Sequence, residues 1–261
     1  MKKTVTYLIL GILYISSWFM FFPGSEIQKS PHPAKNSPAG PVPQILHIIA
    51  AGDSLTRGVG STSKEGGYIP YVKERIEADS IHTEIVNHGI TGSRSDQLLQ
   101  QISQQSFRHE LRSADVVILT IGGNDIMKIL KKNLSNLKLQ MFERERKEYV
   151  FRLSQILSKI RAANIHADIY VLGIYNPFMK WSGSVKELDM IVEEWNEATR
   201  SGVREFEKSY YIPINDIFMK NTGEELLYQN DHFHPNDKGY KYIGERVYQS
   251  IREHTLSTPG W

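Results

Sequence analysis

Short, largely apolar runs, often with β-branched residues, recur along the chain at 45–51, 83–90, 115–121, 167–174 and 210–214. Short runs of this kind, bounded by glycine and polar residues, predict buried strands. Between them apolar positions repeat at three and four residues, which predicts helices over 71–78, 96–107, 142–163, 185–208 and 237–254. The last is the clearest, with Tyr240, Ile243, Val247 and Ile251 on one stripe. Apolar strands alternating with helices predict an α/β fold in which a parallel sheet of about five strands is covered on both faces. The stretch 128–147 departs from this rhythm: it carries Lys131, Lys132, Glu143, Arg144, Glu145 and Arg146 and is only weakly periodic. It reads as a solvated helix face or as a lid beside the end of the third strand.

The amino-terminal pattern is different. After Lys2 and Lys3 the chain runs without a charge from Thr4 to Phe22. At about 1.5 Å per helical residue that length suits the hydrocarbon core of a bilayer. No clean Ala-x-Ala cleavage site follows, so 1–22 is expected to be an uncleaved signal anchor, with the lysines inside and the domain outside the membrane; the alternative is a signal peptide, with the domain secreted after cleavage. Residues 23–43 hold six of the eleven prolines and predict an extended linker. The folded domain is expected over 44–261.

Charge follows this division. The net charge of +2 arises before residue 44, where four lysines face one acid; the remaining 27 Lys and Arg are set against 28 Asp and Glu. A near-neutral domain gives no support for nucleic-acid binding, which needs clustered cations to displace counterions. The chain has no cysteine, which rules out disulfides, thiol nucleophiles and thiolate metal sites.

Ligands of an open parallel sheet bind beyond the carboxyl ends of its strands, so the residues just after each strand are the candidates. The first strand delivers Gly52-Asp53-Ser54-Leu55, a serine on a tight strand-to-helix turn. A phosphate loop is excluded, because no Gly-Lys-Ser/Thr follows and Gly58-x-Gly60 lacks the third glycine of a dinucleotide fingerprint. The second strand leads to Gly92, the third to Gly122-Gly123-Asn124-Asp125, and near the carboxyl terminus lies Asp231-His232-Phe233-His234-Pro235. Serine first and histidine last is the order in which a strand end supplies a nucleophile and a later loop its base. Asp231, three residues before His234, can accept the Nδ1 proton and leave Nε2 to take that of Ser54. Ser54 also reads as a helix cap, Asp53 as a structural hydrogen-bonding partner, Asn124 as a turn residue and Asp125 as a structural residue capping the following helix. His232 and His234 beside Asp231 also allow a metal site. His88 and Arg94 flank the expected mouth, and Trp181 and Trp195 read as core or surface anchors.

These blocks together resemble the GDSL or SGNH hydrolase family of serine esterases and lipases, in particular its membrane-anchored Gram-positive members. Gly52-Asp53-Ser54-Leu55, Gly92, Gly122-Gly123-Asn124-Asp125 and Asp231 to His234 match its four blocks in family order, over about residues 45 to 254. The resemblance implies a flavodoxin-like three-layer α/β/α sandwich, a triad of Ser54, Asp231 and His234, and an oxyanion hole of Gly92, Asn124 and the Ser54 amide. It implies no metal and no organic cofactor. The implied activity is ester hydrolysis outside the membrane, with a small-molecule or lipid ester as substrate, first among them lipid-type acyl esters. A carbohydrate or wall-polymer O-acetyl esterase is the alternative within enzymes, and a catalytically silent, envelope-tethered binding module is the alternative outside them.

Overall fold

The computed structural model describes residues 44–132, 138–178, 186–220 and 225–258. The expected anchor at 1–22, the linker at 23–43 and Trp181 lie outside the described residues. Among the described residues no helix is long and apolar enough to cross a membrane.

Five strands form the sheet: β1 (Ile45–Gly52), β2 (His82–Gly89), β3 (Val116–Thr120), β4 (Asp168–Leu172) and β5 (Ser209–Ile212). All are parallel, in the order β2-β1-β3-β4-β5. This is the flavodoxin-like order, so the chain turns from one side of β1 to the other between β2 and β3 and leaves a crevice above the carboxyl end of β1. Residues alternate across the sheet as a pleat requires. Ile49, Ala51, Val117, Leu119, Ile169 and Val171 face one core; Leu46, Ile48, Ala50, Val116, Ile118 and Leu172 face the other. β2 departs from the continuously apolar pattern. It is an edge strand, and His82, Glu84 and Val86 remain exposed.

The helices are α1 (Ser54–Arg57), α2 (Ile69–Ala78), α3 (Ser95–Ser103), α4 (Gln105–Leu111), α5 (Gly123–Lys132), α6 (Leu139–Ala163), α7 (Lys186–Arg204), α8 (Asn215–Lys220) and α9 (Asp237–Ile251), the last followed by a π-turn at Arg252–Leu256. Helices α3 to α7 cover one face of the sheet; α2, α8 and α9 cover the other. The stripe on α9 is buried throughout, and each such side chain contributes about 1.5–3 kcal/mol relative to exposure. The expected helix over 96–107 is two helices. Gln104 takes an extended conformation (φ −67°, ψ 143°) between them, a break that no glycine or proline announces.

The stretch 128–147 is helical at both ends, closing α5 and opening α6, while 133–137 lie outside the described residues. It is not simply a solvated face: Ile129, Leu130 and Phe142 are buried in the core.

Candidate active site

The site begins with the way β1 ends. Gly52 has φ 142°, and a Cβ there would lie 2.0 Å from the Thr120 carbonyl oxygen. Glycine therefore lets Asp53 N–H donate to Thr120 O at 3.0 Å on the neighbouring strand. The Asp53 carboxylate accepts from Leu55 N–H at 3.0 Å and from the Thr120 hydroxyl at 2.9 Å, capping α1. Ser54 is thus fixed at the first position of α1, where the helix leaves its N–H without an intrahelical partner. Burial, partly offset by these hydrogen bonds and by the charge of His234, raises the Asp53 carboxyl to about 6.

The segment before α9 carries Asp231 and His234. Asn236 caps α9 by accepting from Gly239 N–H at 3.0 Å, and its amide donates to Glu225 O and Leu227 O. Asp231 Oδ1 accepts from Phe233 N–H at 2.8 Å and His234 N–H at 3.0 Å, folding the loop around the carboxylate. Its Oδ2 lies 2.7 Å from His234 Nδ1, and His234 Nε2 lies 2.9 Å from Ser54 Oγ. All three side chains are buried, His234 at 3% exposure. Burial alone would raise the Asp231 pKa, but the bond to His234, its charge and the two backbone N–H groups hold it below the ordinary carboxylate range. An ionised carboxylate only accepts, so Nδ1 carries the proton and Nε2 is left to accept from Ser54.

The two strands flanking β1 are β2 and β3. Ile90 N–H donates to Gly52 O at 2.9 Å, which brings the loop after β2 across the end of β1. In that loop Gly92 has φ 79°, a left-handed conformation natural to glycine, and among the described residues its N–H has no hydrogen-bond acceptor. Asn124, in the first turn of α5, donates one amide N–H to Ser93 O at 3.0 Å and retains the other. The structure therefore brings together Ser54, Asp231 and His234, and places Gly92 and Asn124 side by side on the next strand ends.

The remaining candidates fall into structural positions. Asp53 is a clamp, as its structural reading has it. Asp125 is structural too, but it does not cap α5: its carboxylate accepts from Ser95 N–H and Oγ–H across the loop. His88 Nε2 pairs with Glu110 at 2.6 Å, and Arg94 with Asp96 at 3.0 Å. Trp195 is a core residue packed on Tyr149. His232 is exposed at a left-handed position (φ 51°), and among the described residues no group of three or more His, Cys, Asp or Glu side chains is arranged to hold a metal ion. Sequence reasoning misses Thr120 and Tyr175; the Tyr175 hydroxyl donates to Phe233 O at 2.6 Å, just before His234. A threonine ending a buried strand and a tyrosine following one carry no signal that separates them from core residues.

Residues 50–242 match the model of the GDSL-like lipase/acylhydrolase family. The chain is 32% identical over 247 residues to the uncharacterized protein YpmR of Bacillus subtilis, covering 94% of each chain. It is 25% identical over 217 residues to the spore germination lipase LipC of Bacillus licheniformis, covering 77% of this chain and 94% of that one. The crystal structure of the lipase Lip_vut3 from a goat rumen metagenome superimposes with a TM-score of 0.70 at 24% identity, over 78% of this chain and 97% of that chain, and shares the fold. The chain thus belongs to the GDSL-like lipase/acylhydrolase family and is a carboxylic ester hydrolase.

Proposed function

We propose that the protein is a serine esterase acting on lipid-type acyl esters, with Ser54 as nucleophile, His234 as base and Asp231 as its orienting acid. The observation that carries this reading is the unbroken relay Asp231–His234–Ser54 at 2.7 and 2.9 Å. As Ser54 Oγ attacks the ester carbonyl carbon, its proton passes to His234 Nε2. Asp231 keeps the imidazole in the productive tautomer and stabilises the imidazolium that forms. The carbonyl oxygen becomes an oxyanion, received by the N–H groups of Ser54 and Gly92 and the second amide N–H of Asn124. His234 then returns the proton to the departing alcohol, and water repeats the sequence on the acyl-serine.

The lipid-type substrate is supported by the relative named as a spore germination lipase. An apolar segment at 4–22 behind two lysines supports an extracytoplasmic domain tethered to the membrane. The test is turnover of p-nitrophenyl esters from acetyl to palmitoyl by wild type and Ser54→Ala. Wild type is expected to prefer medium or long acyl chains, and Ser54→Ala to fall by about 10⁴-fold or more. An optimum at acetyl replaces the lipid reading with an O-acetyl esterase; no turnover of any ester by wild type favours the silent binding module. Sequencing the mature amino terminus tests the uncleaved anchor.

A further inference from the structure

We propose that Arg152 of α6 is a positioning residue for the oxyanion hole, acting through Asp125 and Ser95. The inference rests on the esterase reading above. Two links join the loop after β2 to the turn after β3. Asn124 Nδ2 donates to Ser93 O at 3.0 Å, and Ser95 donates to the Asp125 carboxylate through its N–H at 3.0 Å and its hydroxyl at 2.5 Å. The links attach at Ser93 and Ser95, one and three residues after Gly92, and at Asn124 and its neighbour Asp125; Gly92 and Asn124 are the two hole residues that come from separate strand ends. Their relative position is therefore set by how firmly Ser95 and Asp125 hold each other.

That hold depends on a carboxylate that is 1% exposed. Burial raises the Asp125 pKa, and the Ser95 donors and Arg152 oppose the shift. Arg152 Nη2 lies 3.3 Å from Asp125 Oδ1, and its Nε donates to Ser95 Oγ at 2.7 Å, so the guanidinium bridges both partners. Arg152 is itself held by Glu145, two turns earlier on the same face of α6, at 2.6 Å, with Lys128 of α5 3.9 Å from that carboxylate. Removing the cation leaves a buried charge served by Ser95 alone, and a buried charge without its counterion drives rearrangement. The uncompensated charge belongs to Asp125, so the turn displaced is the one that carries Asn124. A network serving only to join helices would not need to fasten both at Asp125, the neighbour of Asn124, and at Ser95 in the loop of Gly92.

The experiment compares kcat and KM of wild type, Arg152→Gln, Arg152→Lys, Asn124→Ala and the double variant Asn124→Ala with Arg152→Gln, using the best p-nitrophenyl ester. Arg152→Gln is expected to lower kcat about ten- to a hundredfold, less than loss of a hole donor itself, with KM within about twofold. Arg152→Lys is expected to recover part of that loss. In the Asn124→Ala background the same change is expected to cost less than about threefold, because the group it positions is gone. Equal fold-losses in both backgrounds, or a lowered melting temperature with kcat unchanged, overturn the proposal. If Arg152→Gln does not fold, Glu145→Gln replaces it, with the same non-additivity expected on a smaller scale. Full activity in Ser54→Ala would instead count against the esterase reading itself.

Discussion

The two halves of the proposed site, its base and its oxyanion hole, are built by opposite means. The base half is local: Asp231 and His234 are three residues apart, the carboxylate folds its own loop through two backbone N–H groups, and a helix cap follows two residues later. The hole half is assembled from afar, with Gly92 and Asn124 on different strand ends and their neighbours fastened by Arg152, 57 residues from Ser95. A local device keeps its shape when the surroundings shift, whereas an assembled one depends on sheet register and on the helices behind it. Damage to the base half is therefore expected to be confined to proton transfer. Damage to the hole is expected to be reproduced from a distance.

The sharpest test of a local base is Asp231→Asn. An asparagine can still accept both backbone N–H groups, so the loop keeps its form. Its amide, however, donates to Nδ1 and moves the ring proton to Nε2, where it cannot take that of Ser54. A fall in kcat of about 10⁴-fold with little change in KM or melting temperature is expected. Unfolding of this variant would show that the loop is not self-supporting. Asn124→Ala comes next, with an expected loss of about 10²–10³-fold in kcat at unchanged KM. A loss confined to KM would place Asn124 in ground-state binding and break the contrast.

The two aspartates of the site extend the comparison to stability. Asp231 has a lowered pKa, so it stabilises the fold above its unfolded value and loses that contribution as pH falls. Asp53 is the reverse. Its carboxyl is raised from 3.8 to about 6, so the folded state binds the extra proton, and stability declines as pH rises through that window. A shift of this size corresponds to about 3 kcal/mol. Asp53→Asn can keep the Leu55 and Thr120 bonds to Oδ1 while removing the buried charge. Denaturant unfolding between pH 4 and 7 should show it gaining on wild type as pH rises; parallel curves would contradict the raised carboxyl.

The same division decides what the sequence reveals. Five strands, the α9 stripe and the local Asp-x-x-His block are legible because period and short spacing are properties of contiguous residues. Ser54 stands out as a nucleophile candidate only with the other family blocks beside it, since alone after a strand it reads equally as a helix cap. The break at Gln104 is not, since an ordinary residue takes the extended conformation there. Six-residue α8 is too short to show a helical period. Thr120 matters only because the register sets Gly52 opposite it. Arg152 and Glu145 look like two more charges on a weakly periodic helix, and only the fold turns them towards Asp125.

The smallest expected effect tests how complete the local device is. The Tyr175 hydroxyl is the tie from β4 to the base loop, donating to Phe233 O, while its ring stacks on Phe218 with centroids 4.0 Å apart. Tyr175→Phe removes the hydrogen bond and keeps the stack. Leaving one buried carbonyl unpaired costs about 1–3 kcal/mol, visible as a lower melting temperature. If Asp231 organises the loop by itself, His234 still reaches Ser54 and kcat falls no more than about fivefold, since only a large misplacement of the base would cost 10²-fold. A loss approaching that of Asn124→Ala would mean that the base, like the hole, is held in place from another strand, and the contrast between the two halves would disappear.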